Sequence, residues 1–130
     1  MIIAIDFDGT VVDHRYPNIG PEAPYAVCSL KQLCLEGDSL ILFTMRSNYF
    51  LGHAIEWFNT NGIDLWGIQW NPEQHCWSQS NKCYAQVYID DAALGCPLIH
   101  PEGFHRPCVD WVKVMELLKN IKDTGCVIVK

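Results

Sequence analysis

The chain is organised around its opening stretch, MIIAIDFDGTV at residues 1–11. The apolar run 2–5 is typical of a strand that is buried on both faces, as in a parallel sheet. This run ends at Asp6 and Asp8, and alternation along a strand end predicts that their carboxylates point to one side while Phe7 points to the other. Two neighbouring carboxylates repel each other unless a cation or a proton intervenes. The stretch therefore predicts a charged site at the end of a buried strand.

Length and composition restrict the classes of protein that fit. With 130 residues, 49% of them hydrophobic, the chain is long enough for one core, so we expect a single domain over residues 1–130. A net charge of −6 and the absence of a basic run disfavour tight binding to long nucleic acid. No stretch has the length of a membrane span or the features of a secretion signal, so we expect no membrane partner. The seven cysteines, without a CxxC pair, indicate free thiols and a cytoplasmic location.

Strand patterns recur along the chain after the opening stretch. Strands are predicted at residues 39–43, 65–70, 85–89 and 98–100, and a terminal edge strand at 126–129. The polar stretch from Asp13 to Gly20, rich in turn formers, predicts a loop that overhangs the end of the first strand.

Helix patterns separate most of these strands. One helix is predicted to open near Pro24 and stop at Gly37, and a second to begin at Ser47 or Asn48 and stop at Gly62. A third begins after the N-cap residue Asp110, with Val109 and Val114 as a hydrophobic staple. Strands that alternate with helices predict an α/β, Rossmann-like domain with a mostly parallel central sheet flanked by helices.

Polar side chains follow the last apolar residue of three predicted strands. Asp6 and Asp8 follow the first, Thr44 follows the second, and Asp90 and Asp91 follow the strand at 85–89. Ligands of parallel sheets bind at the carboxyl ends of the strands. We therefore expect these five side chains to share one rim.

In their order along the chain, these segments resemble the signature motifs of the haloacid dehalogenase superfamily, whose members are mostly Mg²⁺-dependent phosphatases. The apolar strand followed by Asp-Phe-Asp-Gly-Thr at 6–10 resembles the first motif, Thr44 the second, Lys82 the third, and Asp90 and Asp91 the fourth. Cap domains of the superfamily are inserted after the first motif or between the second and the third. Because those gaps hold only a loop, single helices and one strand here, we expect a superfamily core without a cap.

The resemblance also implies a role for each residue. Asp6 is expected to be the nucleophile that forms an aspartyl-phosphate, Asp8 the general acid and base, and Lys82 the cation that neutralises the phosphoryl charge. Mg²⁺ is expected to bind the carboxylates of Asp6 and Asp90 and the backbone carbonyl of Asp8, while Asp91 orients Lys82 or a water. The residues expected to bind the phosphate are Gly9, Thr44, Met45 and Arg46.

The substrate is the least constrained part of the prediction. The planar fork of Arg46 suits a second phosphate or a carboxylate, and aromatic side chains near the rim can stack on a nucleobase. The candidate specificity residues are His14, Arg15, Trp70, His75 and Trp77. We expect a nucleotide or nucleic-acid-end phosphate, with a sugar or another small-metabolite phosphate as the alternative. A homo-oligomer in which a neighbouring subunit covers the open site is also left open.

Other readings of the same residues stay open. The chain is alternatively a catalytically idle, phosphate-binding regulatory domain, or an enzyme that transfers the phosphoryl group to an acceptor other than water. Thr44 and Lys82 are residue types found mostly on surfaces, and tryptophans mostly serve packing. A zinc site is a further alternative, although its spacing fits no familiar site. Its ligands would be Cys96, His100, His105 and Cys108, or His75 and Cys76 with Cys83.

Overall fold

The computed structural model describes residues 1–124, which form a mixed α/β fold. The strands are β1 (Ile2–Ile5), β2 (Val12–Arg15), β3 (Asn18–Glu22), β4 (Ser39–Leu42), β5 (Gly67–Ile68), β6 (Val87–Ile89), β7 (Leu98–Ile99) and β8 (Cys108–Val109). The helices are α1 (Ala26–Leu35), α2 (Asn48–Thr60) and α3 (Trp111–Thr124), and a short 3-10 turn covers Gln74–Cys76.

A four-stranded parallel sheet with the order β5-β4-β1-β6 lies at the centre of the described residues. Strand β1 has a parallel neighbour on each side, with Ile5 opposite Leu42 of β4 and opposite Ile89 of β6. Ile3 and Ile5 are fully buried, as the continuous apolar run predicts for an inner strand. The predicted parallel sheet flanked by helices is thereby confirmed.

Local chemistry accounts for the ends of α1 and α2 and for the start of α3. Gly37 and Gly62 follow α1 and α2 at φ values of +88° and +70°, which glycine adopts without steric cost. Asp110 caps α3, because its Oδ1 accepts a hydrogen bond from the Lys113 N–H at 3.1 Å. Ser47 lies at the N-cap position of α2, but its hydroxyl makes no capping hydrogen bond. None of the helices within residues 1–124 is long and apolar enough to cross a membrane.

Aromatic residues of the core hold the end of β1 in place. The fully buried ring of Phe7 packs against Trp57 and Phe58 of α2, with centroid distances of 5.6 and 6.0 Å. Trp111, also fully buried, donates its indole N–H to the carbonyl of Thr10 at 2.8 Å. The turn that follows β1 is therefore anchored from both the second and the third helix.

The prediction of a loop over residues 13–20 is wrong. Strands β2 and β3 pair there as an antiparallel hairpin. Gly20 and Pro17 are typical of loops, but in this hairpin Pro17 lies between the strands, and Gly20 lets β3 approach β2 closely. A Cβ at Gly20 would lie only 2.4 Å from the carbonyl oxygen of Asp13.

The outer strands are shorter than predicted. β5 covers residues 67–68 instead of 65–70, and β6 covers 87–89 instead of 85–89, since each pairs with one neighbour only. The short strand predicted at 98–100 is β7, which pairs with β8 in a separate ribbon instead of joining the sheet. The sequence did not predict β8. The strand predicted at 126–129 lies outside the described residues.

Candidate active site

Three carboxylates converge at the carboxyl end of the parallel sheet. Asp6 follows β1, and Asp90 and Asp91 follow its neighbour β6. The pairing continues to the end of β1, because the Asp6 N–H donates to the Ile89 carbonyl at 3.0 Å. One oxygen from each carboxylate lies within 4.8 Å of the other two. The shared rim predicted from the strand ends is therefore present for these three acids, which we call the acidic triad.

Burial raises the pKa of two acids of the triad, Asp6 and Asp91. Burial raises the pKa of Asp6 to about 8, and the charge of Asp90 and the hydrogen bond and charge of Asp91 add to this rise. Burial also raises the pKa of Asp91. Three carboxylate oxygens this close together are a donor set suited to a hard divalent cation such as Mg²⁺. Asp91, predicted only to orient its neighbours, is itself within reach of such an ion.

The turn at Gly9 and Thr10 joins the first motif to the fourth. Gly9 has a φ of +82°, and a Cβ there would lie 2.3 Å from Oδ2 of Asp91. The Thr10 hydroxyl donates to Oδ2 of Asp6 at 3.2 Å and accepts from the Asp91 N–H at 3.3 Å. Gly9 thus makes room for Asp91, and the Thr10 hydroxyl links Asp6 to Asp91 by hydrogen bonds.

Arg46 is buried beside the triad, and all its side-chain hydrogen-bond donors have acceptors within the protein. Its exposed fraction is 2%, and it forms a two-pronged ion pair with Asp8, from Nε to Oδ2 at 2.7 Å and from the second terminal nitrogen to Oδ1 at 2.8 Å. Its three other N–H groups donate to backbone carbonyls at 3.0–3.3 Å, those of Pro17, Asn18 and Phe50. The five donors of a guanidinium are thereby all occupied.

Two aromatic rings complete the enclosure of Arg46. Its guanidinium carbon lies 5.0 Å from the ring centroid of Phe7 and 5.1 Å from that of Tyr16. Arg46 was predicted to bind a second phosphate or a carboxylate of the substrate, but it has no donor left for one. Its partner Asp8 accepts two hydrogen bonds from it. In this arrangement Arg46 fixes Asp8 instead of recognising substrate.

The loop after β4 is held by Gln69, a residue that the sequence did not indicate. The Gln69 side chain accepts from the Thr44 N–H at 2.8 Å and donates to the carbonyls of Thr44 at 2.6 Å and Arg46 at 3.2 Å. Gln69 itself has a φ of +64°, a conformation uncommon for a residue with a side chain. The Thr44 hydroxyl accepts from the Arg46 N–H at 3.1 Å, so Thr44 also caps the turn that presents Arg46.

A cavity of about 480 Å³ opens over the triad. It is lined by the triad, by the predicted residues Asp8, His14, Thr44, Met45 and Arg46, and by Tyr16, Ala92 and Arg106. The last three were not predicted. Tyr16 lies in the segment expected to overhang the site and could have been included on that ground. Nothing in the sequence separates Arg106 from an ordinary surface arginine.

The remaining predicted residues do not line this cavity. The Lys82 ammonium lies 5.6 Å from the ring centroid of Tyr88. Arg15 pairs with Asp13 at 2.9 Å. Of the residues proposed to stack on a base, Trp70 and Trp77 are 66% and 62% exposed, and His75 contacts its neighbour Cys76. The structure thus gives no support to a base-stacking wall, and the role of Lys82 stays a prediction.

The zinc alternative finds no cluster in the described part of the chain. Within residues 1–124, the acidic triad is the one group of three potential metal ligands whose atoms lie within 4.8 Å of one another. A ring nitrogen of His100 instead lies 2.9 Å from the Phe104 carbonyl oxygen, and Cys108 is buried in the core. The site is therefore built from oxygen ligands, not from thiols and imidazoles.

Most of the chain is similar to a solved structure. No protein-family model and no curated protein matches the sequence. A conserved protein coded by a locus of Bacteroides thetaiotaomicron is 40% identical, over 92% of this chain and 90% of that chain, with a TM-score of 0.76. The chain belongs to the family of that conserved protein. The match spans most of both chains.

Proposed function

We propose that the protein is an Mg²⁺-dependent phosphomonoester hydrolase of the haloacid dehalogenase type, with Asp6 as its nucleophile. The observation that supports this proposal is the acidic triad, which faces a cavity of about 480 Å³ at the carboxyl end of a parallel sheet. The size of the cavity is in the range of small-molecule sites. The triad would hold Mg²⁺, which supplies the positive charge that lets an anionic carboxylate approach a phosphate.

The proposed reaction has two steps. An oxygen of Asp6 attacks phosphorus, the bond from phosphorus to the leaving oxygen breaks, the leaving oxygen takes a proton from solvent, and an aspartyl-phosphate forms. Water then attacks phosphorus, the bond to Asp6 breaks, and phosphate leaves with the Asp6 carboxylate restored. Asp8, fixed by Arg46 at the cavity, takes the proton of the attacking water in the second step. Its predicted role as the acid of the first step stays an expectation from the resemblance.

The substrate of this proposal is a phosphorylated small molecule. The candidate stacking residues Trp70, His75 and Trp77 do not line the cavity, which removes the main reason to prefer a nucleotide. The segments after the first motif, β2, β3 and α1, are short and pack on the core, which favours a site without a cap domain. We further propose that the enzyme acts in the cytoplasm, in keeping with its free thiols.

The test is hydrolysis of an aryl phosphate by purified protein, with Mg²⁺ and with a chelator. We expect turnover that needs Mg²⁺ and that falls to background in Asp6→Asn. The matched control is Asp123→Asn, an exposed acid paired with Lys119 on α3, which should behave as wild type. Full activity of Asp6→Asn, or no turnover of any phosphomonoester by folded protein, would overturn the proposal.

The second candidate function is a regulatory domain that binds phosphate without cleaving it. The position of Lys82 favours this reading, because its ammonium lies over Tyr88 instead of in the cavity. Calorimetric binding of inorganic phosphate in the presence of Mg²⁺, by protein that turns over no phosphoester, would decide for this candidate.

A further inference from the structure

The cavity extends past the groups that the proposed reaction uses. Besides the triad and Thr44, its lining includes His14 of β2 and Arg106 of the segment before β8. The two arginines of the lining, Arg46 and Arg106, differ in whether their donors have partners in the protein. All five donors of Arg46 are occupied, whereas the Arg106 guanidinium makes no hydrogen bond or ion pair with any other residue in 1–124. Of the two arginines that line the cavity, Arg106 is therefore the one whose guanidinium has no acceptor within residues 1–124.

A buried carboxylate holds this cation in place. Asp13 is fully buried, and its Oδ2 accepts from the Arg15 Nε–H at 2.9 Å and from the His105 N–H at 2.8 Å. Its Oδ1 accepts from the Arg106 N–H at 3.3 Å. Arg15 also donates to the Gly103 carbonyl at 3.1 Å. Three of these hydrogen bonds join segment 103–106 to β2, on either side of His14.

Burying the ionised carboxylate of Asp13 costs free energy unless hydrogen bonds compensate for the lost water. Burial alone raises the pKa of a carboxyl, but the hydrogen bonds from His105, Arg15 and Arg106 outweigh that effect, and the pKa of Asp13 is lowered. An ionised group without these partners would be strongly destabilising there. As a result, two basic side chains, those of His14 and Arg106, line the same cavity from separate elements.

We propose that Arg106 and His14 form a second anion subsite, and that the substrate is a small molecule carrying the transferred phosphoryl group and a second anionic group, a carboxylate or a phosphate. This inference rests on the proposed phosphatase function. The planar fork of an arginine matches both kinds of anion in a two-pronged contact. The carboxylates of the triad repel any anionic group that no metal ion bridges to them. The triad and the subsite of Arg106 and His14 therefore fix the orientation of such a substrate together. The second anion lies at Arg106 while the phosphoryl group lies at Asp6.

The experiment compares two substrates that differ in the second anion. Phenyl phosphate is paired with 4-(carboxymethyl)phenyl phosphate, and propyl phosphate with propane-1,3-diol bisphosphate, for wild type and Arg106→Gln. We expect a kcat/KM at least about tenfold higher for the two-anion member in the wild type, mostly through KM, as for one charge-assisted interaction. Arg106→Gln should remove this preference, and Arg106→Lys should restore part of it. Lys113→Gln, which alters an exposed lysine on α3, is the matched control.

A second variant tests the positioning role of Asp13. Asp13→Asn should lose the same preference as Arg106→Gln, and circular dichroism establishes that the variant is folded. Since Asp13→Asn removes a buried charge, Arg106→Gln at an exposed position remains the decisive change if Asp13→Asn does not fold. Equal kcat/KM for one-anion and two-anion substrates in the wild type, or an unchanged preference in Arg106→Gln, would overturn the subsite while leaving the phosphatase proposal intact.

The subsite and the phosphatase proposal can also fail separately in a binding experiment. Propane-1,3-diphosphonate and propylphosphonate cannot be hydrolysed, and their affinities are measured by calorimetry with Mg²⁺ present. A diphosphonate preference that is lost in Arg106→Gln supports the anion subsite even if no ester is turned over, in which case the phosphatase proposal alone fails. Equal affinities of the two phosphonates for the wild type count against the subsite.

Discussion

At the scale of single residues, Arg46 is the most heavily constrained side chain near the cavity. It has an exposed fraction of 2%, five donors in use and an ion pair with Asp8. Removing one partner of a buried ion pair leaves the other charge without compensation, which costs about 3–5 kcal/mol. We therefore expect Arg46→Met to lower the free energy of unfolding by about that amount in a urea titration.

The control for this prediction is the double variant Asp8→Asn/Arg46→Met. It removes both charges and should recover part of the lost stability, since no unpaired carboxylate remains. A single variant as stable as the wild type would mean that the ion pair does not contribute to folding.

Asp6 makes the stability of the metal-free protein depend on pH. Its pKa in the fold is about 8, against an ordinary value of 3.8, so between these values the folded chain keeps a proton that the unfolded chain releases. Stability should accordingly fall as the pH rises from about 4 to about 8, by at most ~1.4 kcal/mol per pH unit for one proton. Urea titrations at pH 5, 6.5 and 8 in the presence of a chelator measure this slope.

Mg²⁺ replaces that proton in our proposal, so it should stabilise the protein more at pH 8 than at pH 5. Asp6→Asn carries no titrating group at this position and should show a flatter pH profile and a smaller effect of Mg²⁺. Identical profiles for the wild type and Asp6→Asn would contradict the assignment of the raised pKa to Asp6.

At the scale of elements, the β2–β3 hairpin depends on Gly20. A Cβ at this position would lie 2.4 Å from the backbone carbonyl oxygen of Asp13, and a backbone atom cannot rotate away. We expect Gly20→Ala to destabilise the fold by about 1–3 kcal/mol, as for an overpacked core position. The matched substitution Gly52→Ala in α2 meets no atom within 4 Å and should instead stabilise by about 0.5–1 kcal/mol. Thermal unfolding of both variants measures the contrast, and similar shifts would contradict it.

The elements that the sequence predicts best are those whose signal is local. The apolar run of β1, the stop at Gly37 and the cap at Asp110 each depend on a few adjacent residues, and all three are found. The hairpin was missed because Pro17 and Gly20 are typical of loops, and β8 was missed because two residues are too few to show a strand pattern. The attachment of β2 to segment 103–106 was not predicted because it needs a contact of Asp13 with His105 across 92 positions.

The same distinction holds for the site. The triad lies at strand ends, so the order of strands predicts it from Asp6, Asp90 and Asp91 alone. The Arg46 guanidinium donates to Asp8, whereas the Arg106 side chain faces the cavity. Both features depend on side-chain directions, which the spacing of residues in the sequence does not predict. For this reason the sequence assigned the anion-binding role to Arg46, whereas the structure leaves only Arg106 with unoccupied donors among the two arginines of the lining.

At the scale of the whole molecule, one chain supplies every group in the proposed mechanism. Asp6, Asp8, Thr44 and the two aspartates after β6 line one cavity of a single chain. We therefore expect specific activity to stay constant when the protein is diluted about a hundredfold below the concentration of any self-association seen by light scattering. Activity per chain that falls on dilution would show that a neighbouring subunit completes the site.

The clamp around Arg46 has a consequence for how the enzyme would select its substrates. Its donors join Asp8 to the hairpin turn at Pro17 and Asn18 and to the first turn of α2 at Phe50, so these three parts of the rim form a single rigid block. A hairpin fastened in this way cannot open and close as a lid over bound substrate. Entry is then governed by diffusion and charge, and selection has to be made by a preformed surface, not by closure around the correct molecule.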